Sequence, residues 1–455
     1  MSVLTDLPKL LKQGIRQHKV PGAALAIQRR GRLYETTAGV LNMNTGVPVT
    51  PDSVFQIGSI SKIFTSSLIM QLADEGLLDL DTPVRRYLPG FSVADRTTSR
   101  TVTPRHFLTH SSGIEGDFFV DSGRGDDSIA RLQDMGTLLP SLFAPGERLS
   151  YCNFGFAMLG RITETLTGLT WDQAIRERLF KPLEMDHALT LPEETLKYRA
   201  AIGHVPNPKK PTEQVISPMP WLSFGQKAAG ATPMMSAADL LKFATLHLDR
   251  GVSRSGERLL SKSAVRQMQQ TQVRLPKHFP RGLEAWGLGW MLMRWSGKRV
   301  IGHDGGTVGQ YAFLRVLPEE DLAIALLTNG GDAGGLYEWL YRTLLKSLAK
   351  VQLPELAPVN ESLKPEPARY VGRYSNLTGI TSISHRSGRL FVEAEPTGLG
   401  GAALKKTPLG FIDRNTARPM SGDPILDRNL YLFQDPGSEP ARYLLSGVRL
   451  SRRID

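Results

Sequence analysis

The chain has one cysteine, Cys152, among 455 residues. A single thiol forms no internal disulfide and excludes a structural zinc site built on several thiolates. Long hydrophobic runs are also missing. No stretch of about 18 apolar residues occurs, so no transmembrane helix and no membrane partner are expected. Ahead of Pro21, Leu7, Leu10, Leu11 and Ile15 recur at helical spacing, but Lys9, Lys12 and Arg16 interrupt them. That pattern lacks the apolar core of a secretory signal, and a cytoplasmic location is expected. No Gly-x-Gly-x-x-Gly or P-loop is present, so nucleotide use is unsupported and no cofactor is expected. No fixed-period repeat points to a solenoid or propeller. Acidic residues are fewer than basic ones, 44 against 55, for a net charge of +11. Such a charge raises nucleic acid as a partner. The arginines of the last quarter are scattered between acids without an RNA-binding aromatic signature, so no nucleic-acid partner is expected.

What is present is the composition of a soluble globular chain, 41% hydrophobic and 22% charged, long enough for two to four domains. After a first amphipathic helix, Ala23–Gln28 and Arg32–Thr37 read as a hairpin turning at Arg30-Gly31. A helix opens near Ser59 and stops at Gly76. Residues 80–235 read as helix and loop, including Pro104–His110, Phe154–Leu166 and Trp171–Leu179. Ser236 caps a further helix, with Asp239 as its capping-box acid. Gly287–Trp295, Lys298–Gly302, Tyr311–Leu317 and Leu322–Thr328 read as antiparallel strands, and Leu336–Lys350 as a closing helix. A Pro-rich linker is expected over 353–367, between a domain 1–352 and a C-terminal domain 368–455. Strand candidates in the latter are Tyr370–Tyr374, Ile380–His385, Leu390–Ala394, Leu430–Gln434 and Tyr443–Leu450. Turns at Ser387-Gly388, Asp423-Pro424 and Pro436-Gly437 separate them. Strands at both ends of the first domain predict an α/β core with a helical insertion and a site where the two meet.

Three short patterns carry chemistry. In Ser59-Ile60-Ser61-Lys62, residues three apart share a helix face, so Lys62 reaches the Ser59 hydroxyl. A serine at a helix start also has unpaired backbone N–H groups beside it, suited to an oxyanion. A free lysine, with a pKa of about 10.4, becomes a base at neutral pH only if burial or positive charge lowers it. About two Ser-x-x-Lys matches are expected by chance, and the second one, Ser347 to Lys350, reads as a solvated helix end. Taken alone, Ser59 reads as a helix cap. In Tyr151-Cys152-Asn153, extended backbone turns Tyr151 and Asn153 to one side and Cys152 to the other, where it packs as a buried thiol. A decoy, Tyr374-Ser375-Asn376, falls in the tail. In His303-Asp304-Gly305-Gly306, the glycines let a substrate backbone approach a strand, and the Gly306 N–H can face that of Ser59.

Their order, Ser-x-x-Lys, then Tyr-x-Asn about 90 residues on, then His-x-Gly about 150 further, resembles the serine β-lactamase and penicillin-binding-protein family. The likeness is to its class C β-lactamase-related branch, over about residues 5–350. Val54–Lys62, Arg105–Gly113 and Pro145-Gly146 are additional landmarks. The resemblance implies a β-lactamase/transpeptidase-like antiparallel sheet flanked by helices, and acyl transfer through a seryl ester. By resemblance Ser59 is the nucleophile, Lys62 and Tyr151 manage protons, Asn153 positions substrate and His303 completes the catalytic set. Backbone amides of Ser59 and Gly306 form the oxyanion hole, and Asp304 and Gly305 contact substrate.

Core members of the family carry lysine where His303 stands. A neutral histidine beside Asp304 is expected to recognise a carboxylate poorly, so weak β-lactam hydrolysis is expected. His-x-Gly is typical of family esterases, D-aminopeptidases, amidases and penicillin-binding-protein-type thioesterases. The tail resembles lipocalin-like β-barrel domains of such relatives, including thioesterases that cyclise nonribosomal peptides. The expected substrate is a small molecule or peptide, with a carrier-protein or thioester-linked peptide as the alternative. A non-catalytic binding protein on the same fold is the reading from another class, although such a protein has no need of Lys62 and Tyr151 together. His106 and His110, four apart, lack an acidic partner for a metal site, and no metal is expected. Asp117, Asp121, Arg124, Asp126 and Asp127 lie in one polar loop that could line the cleft or bind a cation, and a solvated loop is the expected reading.

Overall fold

A computed structural model describes residues 3–397, 403–423, 425–434 and 440–455. Pro424, Pro436 and Gly437, from two of the expected tail turns, lie outside them. Eight strands form one antiparallel sheet in the order Arg32–Gly39, Gly22–Arg29, Leu322–Thr328, Tyr311–Leu317, Lys298–Gly306, Met291–Trp295, Leu283–Trp286 and Val273–Arg274. The N-terminal hairpin pairs with Leu322–Thr328, near the end of the first domain, as the α/β reading requires.

Alternation along these strands sorts side chains into two cores. Ala24, Ala26, Ala323, Ala325 and Leu327 face one side, against the helix Ser61–Asp74 and the helical region. Ala23, Leu25, Ile27, Leu322, Ile324 and Leu326 face the other, under the helices Leu7–Gln17 and Ala333–Ala349. Small alanines on the first face let the helix Ser61–Asp74 lie close to the sheet. That helix is buried almost all round. Its polar Ser66 and Ser67 satisfy themselves by donating to the carbonyls of Lys62 and Ile63 one turn back.

The region between is not purely helical. It holds a hairpin, His204–Asn207 with Lys210–Ile216, and a three-stranded sheet of two-residue strands. Of the expected strand Gly287–Trp295 only Met291–Trp295 is extended; residues 287–290 form a turn in which the Gly287 N–H donates to the Trp290 carbonyl at 2.8 Å, and it joins Met291–Trp295 to Leu283–Trp286, a strand that the sequence patterns miss. Lys298–Gly306 runs past Gly302, so the His303 motif lies within a strand.

Residues 351–366 form no helix or strand, yet Val351 and Leu353 are buried in the second core. The tail is a closed eight-stranded barrel. Leu404–Phe411 and Thr416–Pro419 are strands that the sequence patterns miss, and Tyr443–Leu450 is two strands, Tyr443–Ser446 and Arg449–Arg453. The barrel has a small core of its own around Tyr370, Tyr374, Phe411 and Phe433. Leu432, Tyr443, Leu445 and Leu450 pack instead into the second core of the first domain. No helix among the described residues is long and apolar enough to cross a membrane.

Candidate active site

The 3₁₀ turn Gly58–Ile60 leads directly into the helix Ser61–Asp74, placing Ser59 at the helix mouth and Lys62 one turn inward. Lys62 is fully buried. Its Nζ lies 3.1 Å from Ser59 Oγ, 2.6 Å from Asn153 Oδ1 and 2.6 Å from the Ala229 carbonyl. A neutral amine has two hydrogens and one lone pair. Two of its partners can only accept, so both hydrogens are committed and the lone pair is left facing Ser59 Oγ. Burial pushes the Lys62 pKa well below its ordinary value, with Asp117 opposing and Arg449 reinforcing the shift.

Tyr151 lies beside this amine, its ring centre 4.8 Å from Nζ. Burial drives the phenol well above its usual range, so it stays protonated. The ring is held by stacking on His110 at 4.1 Å and by the edge of Trp286. Cys152 points away as expected. Its buried Sγ accepts from the Gly155 N–H and caps the helix Asn153–Thr167. Burial lifts this thiol to about 11, which leaves it a packing group and not a nucleophile. The other patterns weighed in the sequence stay apart from the site. His106 accepts from the Thr103 N–H at a helix start, and His110 from the Cys152 N–H, so the two are not a metal pair. Tyr374 lies in the barrel core, and Lys350 is a left-handed helix end.

His303 is buried against Trp286. Its Nδ1 lies 2.6 Å from the Asp304 carbonyl, an atom that only accepts, so Nδ1 carries the hydrogen and Nε2 presents a lone pair. Burial and the nearby Lys62 lower its pKa to about 4. Asp304 corrects an expectation. Its carboxylate is no free negative charge, because Arg315 and Arg281 contact it at 2.6 and 2.9 Å. Burial alone would raise its pKa, but the two guanidinium groups outweigh that and hold it below the usual range. Gly305 is required by a close approach: a Cβ there would stand 1.8 Å from the Ile57 carbonyl and 3.2 Å from the Ser59 nitrogen. A Cβ on Gly58 would likewise lie 2.6 Å from the Gly306 nitrogen. The strand and the Ser59 turn are thus in backbone contact, which brings the Ser59 and Gly306 amides to the same small space.

Two residues of the site escaped the sequence patterns. Asp117 is not in solvent; its side chain is 6% exposed. It accepts from Asn153 Nδ2 at 2.6 Å and pairs with Arg449 of the barrel. Its signal was its place in a polar loop able to line the cleft, a few residues after the Arg105–Gly113 landmark. Arg449 had none, because the turn at Gly447, with φ of 57°, was read through as one strand. Cavities of about 530 and 200 Å³ open on Ser59. The larger is lined by Phe279, Leu283, Trp286, Tyr311 and Phe313, with Val448 and Arg449 from the barrel. The smaller is lined by Phe119, Leu222, Gln226, Thr307 and Val308, and Arg449 borders it too.

Comparisons with known proteins agree with this architecture. The family model described as Beta-lactamase matches residues 7–345. Penicillin-binding protein 4 of Amycolatopsis lactamdurans is 44% identical over 366 residues, 80% of this chain and 95% of the relative. A crystal structure of SurE with D-Leu is 29% identical and superposes with a TM-score of 0.79 over 99% of each chain. The D-amino acid amidase of Ochrobactrum anthropi SV3, complexed with L-phenylalanine, shares the fold at 22% identity, with a TM-score of 0.63 over 77% of this chain and 99% of that one. The chain belongs to the beta-lactamase family of serine hydrolases, in company with penicillin-binding-protein-like relatives.

Proposed function

We propose that the protein is a serine hydrolase or acyltransferase that forms an acyl-enzyme on Ser59 from a peptide, amide, ester or thioester. The observation that carries the reading is the buried Lys62 amine within hydrogen-bond distance of Ser59 Oγ and of two acceptor-only groups, which in its neutral form take its hydrogens and leave the lone pair for the Ser59 proton. In the first step Ser59 Oγ attacks the substrate carbonyl as its proton passes to Lys62. The negative charge that develops on the carbonyl oxygen is held by the Ser59 and Gly306 N–H groups. Tyr151, too basic to start as phenolate, relays a proton from Lys62 to the leaving group through its hydroxyl. Asn153 bonds the substrate as well as Lys62, and the Nε2 lone pair of His303 accepts from a donor in the cleft. Water, or an amine, then attacks the ester by the reverse route. Asp304 and Gly305 border the cleft as shape, while His303, neutral where core relatives carry lysine, supports weak β-lactam turnover.

Cyclisation of a thioester-linked peptide is the second reading. It is favoured by the 530 Å³ mostly apolar cavity roofed by the barrel, room for an acceptor beside the acyl group. Intact-mass analysis tests both. A fluorophosphonate, an activated ester and a peptidyl thioester are expected to modify wild type, and none of them Ser59→Ala. Wild type that reacts with none of the three removes the acyl-enzyme reading. Cyclic against linear product from the thioester separates transfer to an amine from hydrolysis, and rapid nitrocefin turnover would overturn the β-lactam expectation.

A further inference from the structure

An asparagine side chain offers two nearly identical faces, one that accepts and one that donates. If Asn153 presented its NH₂ to Lys62, the neutral amine would have to accept that bond with its only lone pair. It could then no longer take the proton of Ser59. The amide is held the useful way round by an acceptor-only group on its far side, the Asp117 carboxylate at 2.6 Å from Nδ2. A carboxylate buried this deeply needs a cation. Among the described residues Arg449 is the cation in ion-pair contact with it, and Arg449 comes from the barrel, 332 residues away in sequence. The hairpin that carries Arg449 is seated on the same segment: the Tyr151 N–H donates to the Val448 carbonyl at 2.8 Å, and the Leu450 N–H to Ser150 Oγ at 3.2 Å.

Building on the Ser59 acyl-enzyme reading, we infer that Asp117 and Arg449 are positioning residues that act through Asn153 to aim Lys62 at Ser59, so that the docked barrel completes the proton-accepting apparatus of the catalytic domain. Groups facing Lys62 from every side are accounted for. Tyr151 and Cys152 precede the helix Asn153–Thr167, His110 follows the helix Pro104–Leu108, His303 lies on its strand, Asp117 on its loop and Arg449 on the barrel. Asp117 favours the charged amine and Arg449 disfavours it. A rate that requires neutral Lys62 rises with pH along an acid limb, and the two residues move that limb in opposite directions.

The test is the pH profile of Ser59 acylation by an activated ester, in the full-length chain. Asp117→Asn keeps an acceptor for Asn153 but removes a negative charge, so the limb is expected at lower pH. Arg449→Gln is expected to move it to higher pH, and Arg449→Lys to restore it. Asp117→Ala, which frees the amide to flip, is expected to lower the plateau at least tenfold. Arg428→Gln disturbs another barrel contact, with Asp332 and Glu338, and is expected to leave the limb in place. Limbs that do not move, that move together in the Asp117→Asn and Arg449→Gln variants, or that move equally in Arg428→Gln overturn the inference. Thermal unfolding confirms that each variant is folded, and the Arg449 pair decides the matter if Asp117→Asn is not. Wild type that forms no Ser59 adduct overturns the acyl-enzyme reading and this inference with it. Normal labelling with unmoved limbs overturns the inference alone.

Discussion

Lys62 shows how a buried amine is made useful and what that costs. Its three partners fix its direction, and burial disfavours its charged form, so the desolvation relieved by removing the amine offsets the donor that Asn153 Oδ1 and the Ala229 carbonyl lose. Lys62→Met is therefore expected to lower acylation by about 10²–10⁴-fold, the usual range for a lost general base, while the melting temperature stays level or rises. Stopped-flow acylation beside a thermal melt reads both, and a variant that keeps its rate would remove Lys62 from the mechanism. Three histidines behave in a related way. His303 and His247 are held near pKa values of about 4 and 3 by burial, and His110 well below its ordinary value. Each binds a proton in the unfolded chain below about pH 6.5 and resists it in the folded one. Their contribution is complete above that pH and is lost as pH falls, for His303 by about 3 kcal/mol at pH 4. Urea unfolding from pH 7 to 4 is expected to show this loss, with a shallower slope in His247→Gln. An unchanged slope would place its protonation elsewhere.

At the scale of elements, the meeting of the His303 strand with the Ser59 turn decides whether two amides form one oxyanion site. Gly305→Ala forces the two backbones apart, since the added methyl cannot occupy a point 1.8 Å from the Ile57 carbonyl. Losing one oxyanion donor costs about 10²–10³-fold, and that fall in kcat is the expected result. A variant with wild-type kcat would show that the Gly306 amide is not a donor. Elements also mark where pattern reading succeeds. The helices at Ser61 and Ala237 and the hairpin at Gly31 follow from periodicity and capping, which are local. The turns inside the expected strands Gly287–Trp295 and Tyr443–Leu450 escape the patterns because aromatic and aliphatic residues run on through them. No Asn-Gly or Asp-Gly pair breaks either run, and only backbone hydrogen bonds show the reversal.

In the whole molecule the barrel and the catalytic domain share a core. Leu432, Leu445 and Leu450 lie in the same cluster as Leu340, Leu344 and Trp286, and Tyr443 donates to the Leu142 carbonyl at 2.9 Å. Unfolding one therefore exposes apolar surface of the other, and calorimetry is expected to give a single transition. Leu445→Ala, a buried truncation costing about 2–5 kcal/mol, should lower that transition as a whole, and with it the temperature at which Ser59 labelling by an activated ester is lost. Two separated transitions, with the catalytic one unmoved, would show that the domains unfold independently.

The sequence by itself determined the parts whose geometry is local. Ser59 and Lys62 meet because a helix brings every third residue to one face. Tyr151 and Asn153 share a side with Cys152 turned away, and Gly305 and Gly306 leave a strand open to close approach. Tertiary structure alone decided the rest. Asp304 became half of an ion-pair cluster with Arg281 and Arg315, and Asp117 left the solvent to meet Arg449. The reason is physical. Periodicity encodes which face of its own element a residue occupies, but not which distant element that face will meet. The Asp117–Arg449 pair spans 332 residues, and only the closing of the barrel onto the sheet brings it together.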